Sequence, residues 1–277
     1  MRRHVSTTAG FIAALGLLGG LSAQQAAPAE GRQGGGGRAD LAPTGTLRAS
    51  FIENNPVQGR VGPSGTVTGP AADLVRELAR RLGVPSVITP LPSAGAVLES
   101  VRDGKVDVGF LAYEAARATQ VDFSDPYSAS GSAYAVRGNS SFTRSAEIDR
   151  AGVTVGGVAG QSPEVYVREH LKNARVVSLP TAPSNAEMGK LLLDGKVDAF
   201  AANRTRMDEL VREFPTLRVL PDDFTATLQA IVVAKGKGAE LAYLNRFLAD
   251  VRGSGFVKAS IDRANLVGVN VAPSATR

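Results

Sequence analysis

The chain has 277 residues, enough to bury one large core or two moderate ones, and with 43% hydrophobic and 21% charged residues it reads as globular rather than disordered. It contains no cysteine, which excludes disulfides, thiolate metal sites and a lipid-modified cysteine anchor. A formal net charge of +5, mixed in sign along the chain, is too mild to argue for nucleic acid.

The first segment, MRRHVSTTAGFIAALGLLGGLSAQQAAPAE, has a basic start at Arg2 and Arg3, an apolar run from Phe11 to Leu21, and small residues suited to cleavage after Ala23 or Ala29. That is the pattern of a secretory signal peptide over residues 1–23, its apolar run being shorter than the roughly 20 residues of a spanning helix. Export to the periplasm or the exterior is therefore expected, and loss of both arginines takes the formal charge from +5 to +3. Residues 24–44 are rich in Ala, Gly and Pro without apolar period and read as a flexible tether, with folding expected from about Gly45.

From Gly45 strands and helices alternate. TLRASFI predicts a strand, PAADLVRELARRLG an amphipathic helix with Leu74, Leu78 and Leu82 on one face, SVITPL a strand, SAGAVLESVRDG a helix capped by Ser93, and VDVGFLA a buried strand. A second round follows: VTVGGV, the helix SPEVYVREHLKN with Pro163 at its first position, ARVVSL, the helix SNAEMGKLLLDG opened by a Ser184–Glu187 capping box, and VDAFAA. RTRMDELVREF then reads as helix, LRVL and LQAIVVAK as strands, and AELAYLNRFLADVRGSG and FVKASIDRA as helices.

The pentapeptide DGKVD occurs at Asp103–Asp107 and again at Asp194–Asp198, each time between a helix and a strand, with Gly104 and Gly195 suited to the left-handed residue that ends a helix. The duplication predicts two similarly built α/β lobes. SAYAVRG and LQAIVVAK sit at the seams, so the chain is expected to cross between lobes twice, making a hinge, with lobe 1 at residues 45–134 and 228–268 and lobe 2 at 135–227. Ligands of open parallel sheets bind beyond the carboxyl ends of the strands, here on either side of one cleft.

GPAADLVRELARRLG, VRDGKVDVGFLAYEAARATQVDFSDPY, VTVGGVAGQSPEVY and LLLDGKVDAFAAN resemble the successive motifs of the bacterial family 3 extracellular solute-binding proteins, across most of residues 45–262. The resemblance implies an α/β, two-lobed periplasmic-binding-protein fold of type II, each lobe a mostly parallel sheet flanked by helices, joined by a two-segment hinge. It also implies a monomeric receptor of an ABC importer that closes on a small carboxylate or amino acid ligand and delivers it to a permease in the inner membrane. By its spacing to VDFSDPY, Arg117 matches the arginine that takes the ligand carboxylate, and a guanidinium suits that role because its planar fork stays charged as the cleft closes.

Gly160, Gln161 and Ser162 match the lobe-2 turn, where helix-start N–H groups favour an anion. Ser162 has a second reading as helix cap. Phe110, Ala112, Tyr113 and Asn54 complete the expected lobe-1 lining. The family's aromatic cover is absent from the Glu53-Asn54-Asn55 loop, and Tyr113 is the candidate replacement. Departures are Ala112 and Glu114 in place of hydroxyl residues, and Asn203 where the family has an aspartate for the ligand ammonium; Asn203 also reads as the N-cap of the helix after it.

No cofactor or metal is implied, and G-x-S-x-G, G-x-G-x-x-G, P-loop and H-E-x-x-H patterns are missing. His170 reads as solvated on a charged helix and the Asp222-Asp223 pair as a turn. The enzyme alternative is a cyclohexadienyl dehydratase-like activity on the same fold with Glu114 as acid; a ligand-sensing module is the third reading.

Overall fold

The computed structural model of the chain describes residues 40–53 and 55–273. The expected signal peptide, the tether before residue 40 and Asn54 lie outside the described residues. The tether was expected to extend to residue 44, yet Leu41 is only 2% exposed within the first core. Full burial of a leucine stabilises by ~1.5–3 kcal/mol, comparable to the cost of ordering a residue or two, so packing begins ahead of Gly45.

In chain order the elements are β1 (Leu47–Ile52), β2 (Arg60–Val61), β3 (Val67–Thr68), α1 (Pro70–Leu82), β4 (Ser86–Leu91), α2 (Ala94–Arg102), β5 (Val108–Ala112), the single turn α3 (Ala115–Ala118) and β6 (Val121–Arg137). There follow β7 (Thr154–Val158), α4 (Ser162–His170), β8 (Arg175–Leu179), α5 (Asn185–Leu193), β9 (Ala199–Asn203), α6 (Arg204–Glu213), β10 (Leu217–Val219), β11 (Thr225–Ala234), α7 (Gly238–Gly253), α8 (Phe256–Arg263) and β12 (Val269–Val271). The apolar stripe of α1 buries Leu74, Leu78 and Leu82, and Gly83 ends the helix at φ 71°. A side chain there would pay the left-handed penalty of about 1–2 kcal/mol.

Each lobe is built on a parallel trio, β4-β1-β5 in the first and β8-β7-β9 in the second, with the same spatial order relative to the chain. Lobe 1 packs α1, α7 and α8 over one core and α2 over another, centred on Phe51, Phe110, Leu248 and on Val97, Leu111, Val232. Lobe 2 has cores around Met188, Phe200, Leu210 and around Tyr134, Ile148, Val167.

The repeated pentapeptide does the same job in both lobes. Asp107 accepts from the backbone N–H of Arg48 at 2.8 Å and from its guanidinium at 2.6 and 3.1 Å, and Asp198 accepts from the N–H of Thr154 at 2.9 Å and from Arg137 at 2.9 Å. The backbone bond returns in each case, from Asp107 N to Arg48 O and from Asp198 N to Thr154 O, both 2.8 Å. Each second aspartate thus ties the start of its strand to the central strand of its trio.

The hinge is longer than the seam residues suggested. β6 pairs antiparallel with β11 from Val121 to Ser132, then continues into lobe 2 to pair with β9 and β10. Its first half, VDFSDPYSASG, carries Asp, Pro, Ser and Gly and so gives little strand signal. The β11 register shifts where Pro126 faces Ala230, as expected where proline withholds a ladder N–H. β12, beyond the expected end of lobe 1 at residue 268, pairs with β6 at Ser128–Ser130.

Candidate functional site

The carboxyl ends of β1, β5 and β9, the middle of β6 and β11, and the turn before α4 converge on one narrow cavity. Its lining includes Ala112 at the end of β5 and Arg117 after it, Asn55 and Gln58 after β1, Ser130 on β6, Thr227 and Gln229 on β11, and from lobe 2 Gln161, Ser162, Pro163 and Asn203.

Arg117 lies on the short α3 and is 8% exposed. Its guanidinium donates from Nη1 to the Ala112 carbonyl at 2.8 Å and from Nη2 to the Gly160 carbonyl across the cleft. No carboxylate among the described residues forms an ion pair with it. Burial lowers its pKa from the ordinary arginine value, opposed by the charge of Glu114. Since arginine does not shed its proton in a protein, that direction expresses the cost of burying an uncompensated cation and hence its attraction for an anion.

The lobe-2 turn differs from the expectation. Gly160 has φ +72°, the conformation that favours glycine, and it turns its carbonyl, not its N–H, toward Arg117. The Gly160 N–H donates to Glu164 Oε2 at 3.0 Å and that of Gln161 to Val158 O at 3.0 Å, so neither is free for an anion. Gln161, not Ser162, is the N-cap residue of α4, and Ser162 and Pro163 occupy the first two helical positions. The Ser162 hydroxyl is consequently buried without a hydrogen-bond partner, as is that of Ser130 across the cavity. Orphaned hydroxyls in a polar cleft are groups that a ligand satisfies.

Asn203 serves two purposes at once. Its Oδ1 accepts from Arg206 N at 3.0 Å, capping α6, while its Nδ2 donates to Asn55 Oδ1 of lobe 1 at 3.3 Å. Behind them Gln58 bridges Ile52 N and Gln229, both at 2.9 Å, which fixes the floor of the cavity.

Two expected lining residues stand elsewhere. Phe110 is 1% exposed in the lobe-1 core, edge-on to Tyr127 at 5.8 Å; it shares a strand face with Ala112 but sits two residues deeper, below the cleft floor. Tyr113, 52% exposed and edge-on to Phe123, lines an adjoining space with Glu114 rather than covering the central cavity. Conversely, Gln58, Ser130, Thr227 and Gln229 escaped the sequence reading. The usable signals were the lone Gln within the apolar run LQAIVV and the serines alternating in YSASGSA, which mark one strand face.

Among the described residues no three His, Asp or Glu side chains stand close enough to hold a metal ion. The family model for bacterial extracellular solute-binding proteins, family 3, matches residues 48–264. The L-cystine-binding protein TcyJ of Escherichia coli (strain K12) is 26% identical over 219 residues, covering 78% of this chain and 80% of that protein. A mutant of ArgBP from T. maritima is 25% identical with a TM-score of 0.71, covering 83% of this chain and 99% of the other. The solute receptor for L-cysteine of Neisseria gonorrhoeae is 24% identical with a TM-score of 0.72 over 83% of this chain and 94% of its own, a likeness of fold.

Proposed function

Because the chain belongs to the bacterial extracellular solute-binding proteins of family 3, we propose that it is the exported receptor of an ABC importer and takes a small carboxylate-bearing solute, an amino acid or a relative of one, between its lobes. The observation that carries the chemistry is Arg117, a buried guanidinium whose hydrogen bonds among the described residues go to carbonyl oxygens and not to a carboxylate. In this closed arrangement the Gly160 carbonyl holds the donor that a ligand carboxylate would take, and a bidentate carboxylate is the stronger partner. Ser162 Oγ and the first-turn N–H groups of α4 would meet the same anion from lobe 2, and Ser130 would add a donor from the hinge.

Closure follows if the ligand touches both lobes, since it shifts the open–closed balance only by its differential affinity for the two. Named relatives bind L-cystine, which makes amino acids the first class to screen. The chain would act as a monomer on an inner-membrane permease, with lobe boundaries on β6 and β11 near residues 134 and 227. We infer a binding role for the cleft rather than catalysis, because the named relatives are solute-binding proteins.

The test is a thermal-shift screen of amino acids and small carboxylates, repeated on Arg117→Ala. Wild type should gain several degrees at saturating ligand, and the variant should lose the shift while unfolding cooperatively. An undiminished shift in the variant refutes the anchor.

A further inference from the structure

The central cavity contains one cation and, among the described residues, no acid; the rest of its polar lining is amide and hydroxyl, including Asn203 from lobe 2. It is also tight, with about 20 Å³ open to the centre of a water-sized sphere, room for about one water rather than an amino acid. A larger space of about 250 Å³ adjoins it, and the two share Ser162 and Thr227 as a common wall.

The adjoining space has the opposite charge. Glu114 and Glu169 line it, neither ion-paired among the described residues, together with Tyr113, Tyr166 and His170. Ser162, 8% exposed with its hydroxyl unpartnered, stands at the junction. Glu114 is half-buried and near enough to Arg117 to counter part of the effect of burial on the guanidinium, whereas Glu169 is exposed and screened by solvent. One face of Tyr166 is already stacked on His170 at 4.0 Å, leaving Tyr113 as the freer ring for a cation.

We propose that Glu114 is a specificity-determining residue that receives a cationic group of the solute, so that the ligand spans Ser162 with its carboxylate on Arg117 and its ammonium or guanidinium in the adjoining space. This rests on the reading of Arg117 as carboxylate anchor. Lobe 1 then supplies both the anchoring cation and the receiving acid, and lobe 2 closes over the ligand with Ser162 and with the exposed Glu169.

Isothermal titration with L-lysine, L-arginine and L-cystine as cation-bearing probes, and with glutarate and hexanoate as cation-free ones, tests it on wild type, Glu114→Gln, Glu169→Gln and Arg117→Ala. Wild type should bind its best cation-bearing probe about tenfold or more tighter than either cation-free acid. Glu114→Gln should erase that preference by weakening the cation-bearing probes, while the cation-free acids, relieved of a like charge near Arg117, bind no more weakly than to wild type; Glu169→Gln should change the preference by less than about threefold. A preference that persists in Glu114→Gln, or a wild type that binds the cation-free acids as tightly, overturns the proposal even where Arg117→Ala abolishes binding. Undiminished binding by Arg117→Ala overturns the anchor instead.

Discussion

Arg117 carries a charge whose hydrogen bonds go to carbonyl oxygens, with the nearby Glu114 offsetting only part of the effect of burial, and a cation held that way is poised for an anion rather than optimised for stability. Most other charges among the described residues are paired. Glu77 on α1 accepts from Arg80 at 2.7 and 2.9 Å and from Arg81 at 2.9 Å. The Arg80 hydrogen bond, aided by Arg81 and opposed by burial, brings its pKa down from 4.5 to about 2. Folding therefore gains from the ionised Glu77 above pH 4.5, and the gain is lost as the pH falls from 4.5 toward about 2. Urea midpoints of wild type and Glu77→Gln should differ at neutral pH and converge across that window; a constant difference would show that the pairing is not what matters. Asn203 illustrates the limit of reading one residue at a time, since capping and cleft lining are separate duties of one amide.

At the scale of elements, DGKVD was visible as a duplication, and its physical meaning is the aspartate clamp on β1 and β7. The Asp107 side chain is 5% exposed and that of Asp198 30%. Removing the charge from the buried clamp, Asp107→Asn, should cost ~1–3 kcal/mol and Asp198→Asn less, because water replaces part of the lost pairing. Both clamps sit at the amino ends of strands whose carboxyl ends reach the cleft, so ligand affinity should hold within about twofold in each; calorimetry alongside denaturation separates the two effects. Helices and trio strands were legible because each has its own period and stop signal, as with Gly83 and the Ser184–Glu187 box. The β2-β3 hairpin, two residues per strand, is too short to leave a pattern.

For the whole molecule, the lobes meet through Arg117 and Gly160, through Asn203 and Asn55, and through an ion pair of Arg60 on β2 with Glu209 on α6. Arg60 is half exposed, so the pair should contribute little, on the order of 1 kcal/mol or less, yet it forms only when the lobes are together. Glu209→Gln should raise the scattering radius of the ligand-free protein and weaken ligand binding by up to about fivefold, with both effects fading in high salt. Unchanged radius and affinity would remove the pair from the closing mechanism. The sequence by itself determined the order and type of the longer helices and of the trio strands, the duplication and the guanidinium beyond β5, because local periodicity, caps and spacing are properties of neighbours along the chain. Only the tertiary structure decided that Gln58, Ser130 and Gln229 share a cavity with Asn203, that Phe110 lies beneath it, and that Gly160 presents oxygen rather than hydrogen to Arg117. Those facts depend on long-range strand pairing and on depth along a strand, and no local pattern encodes either.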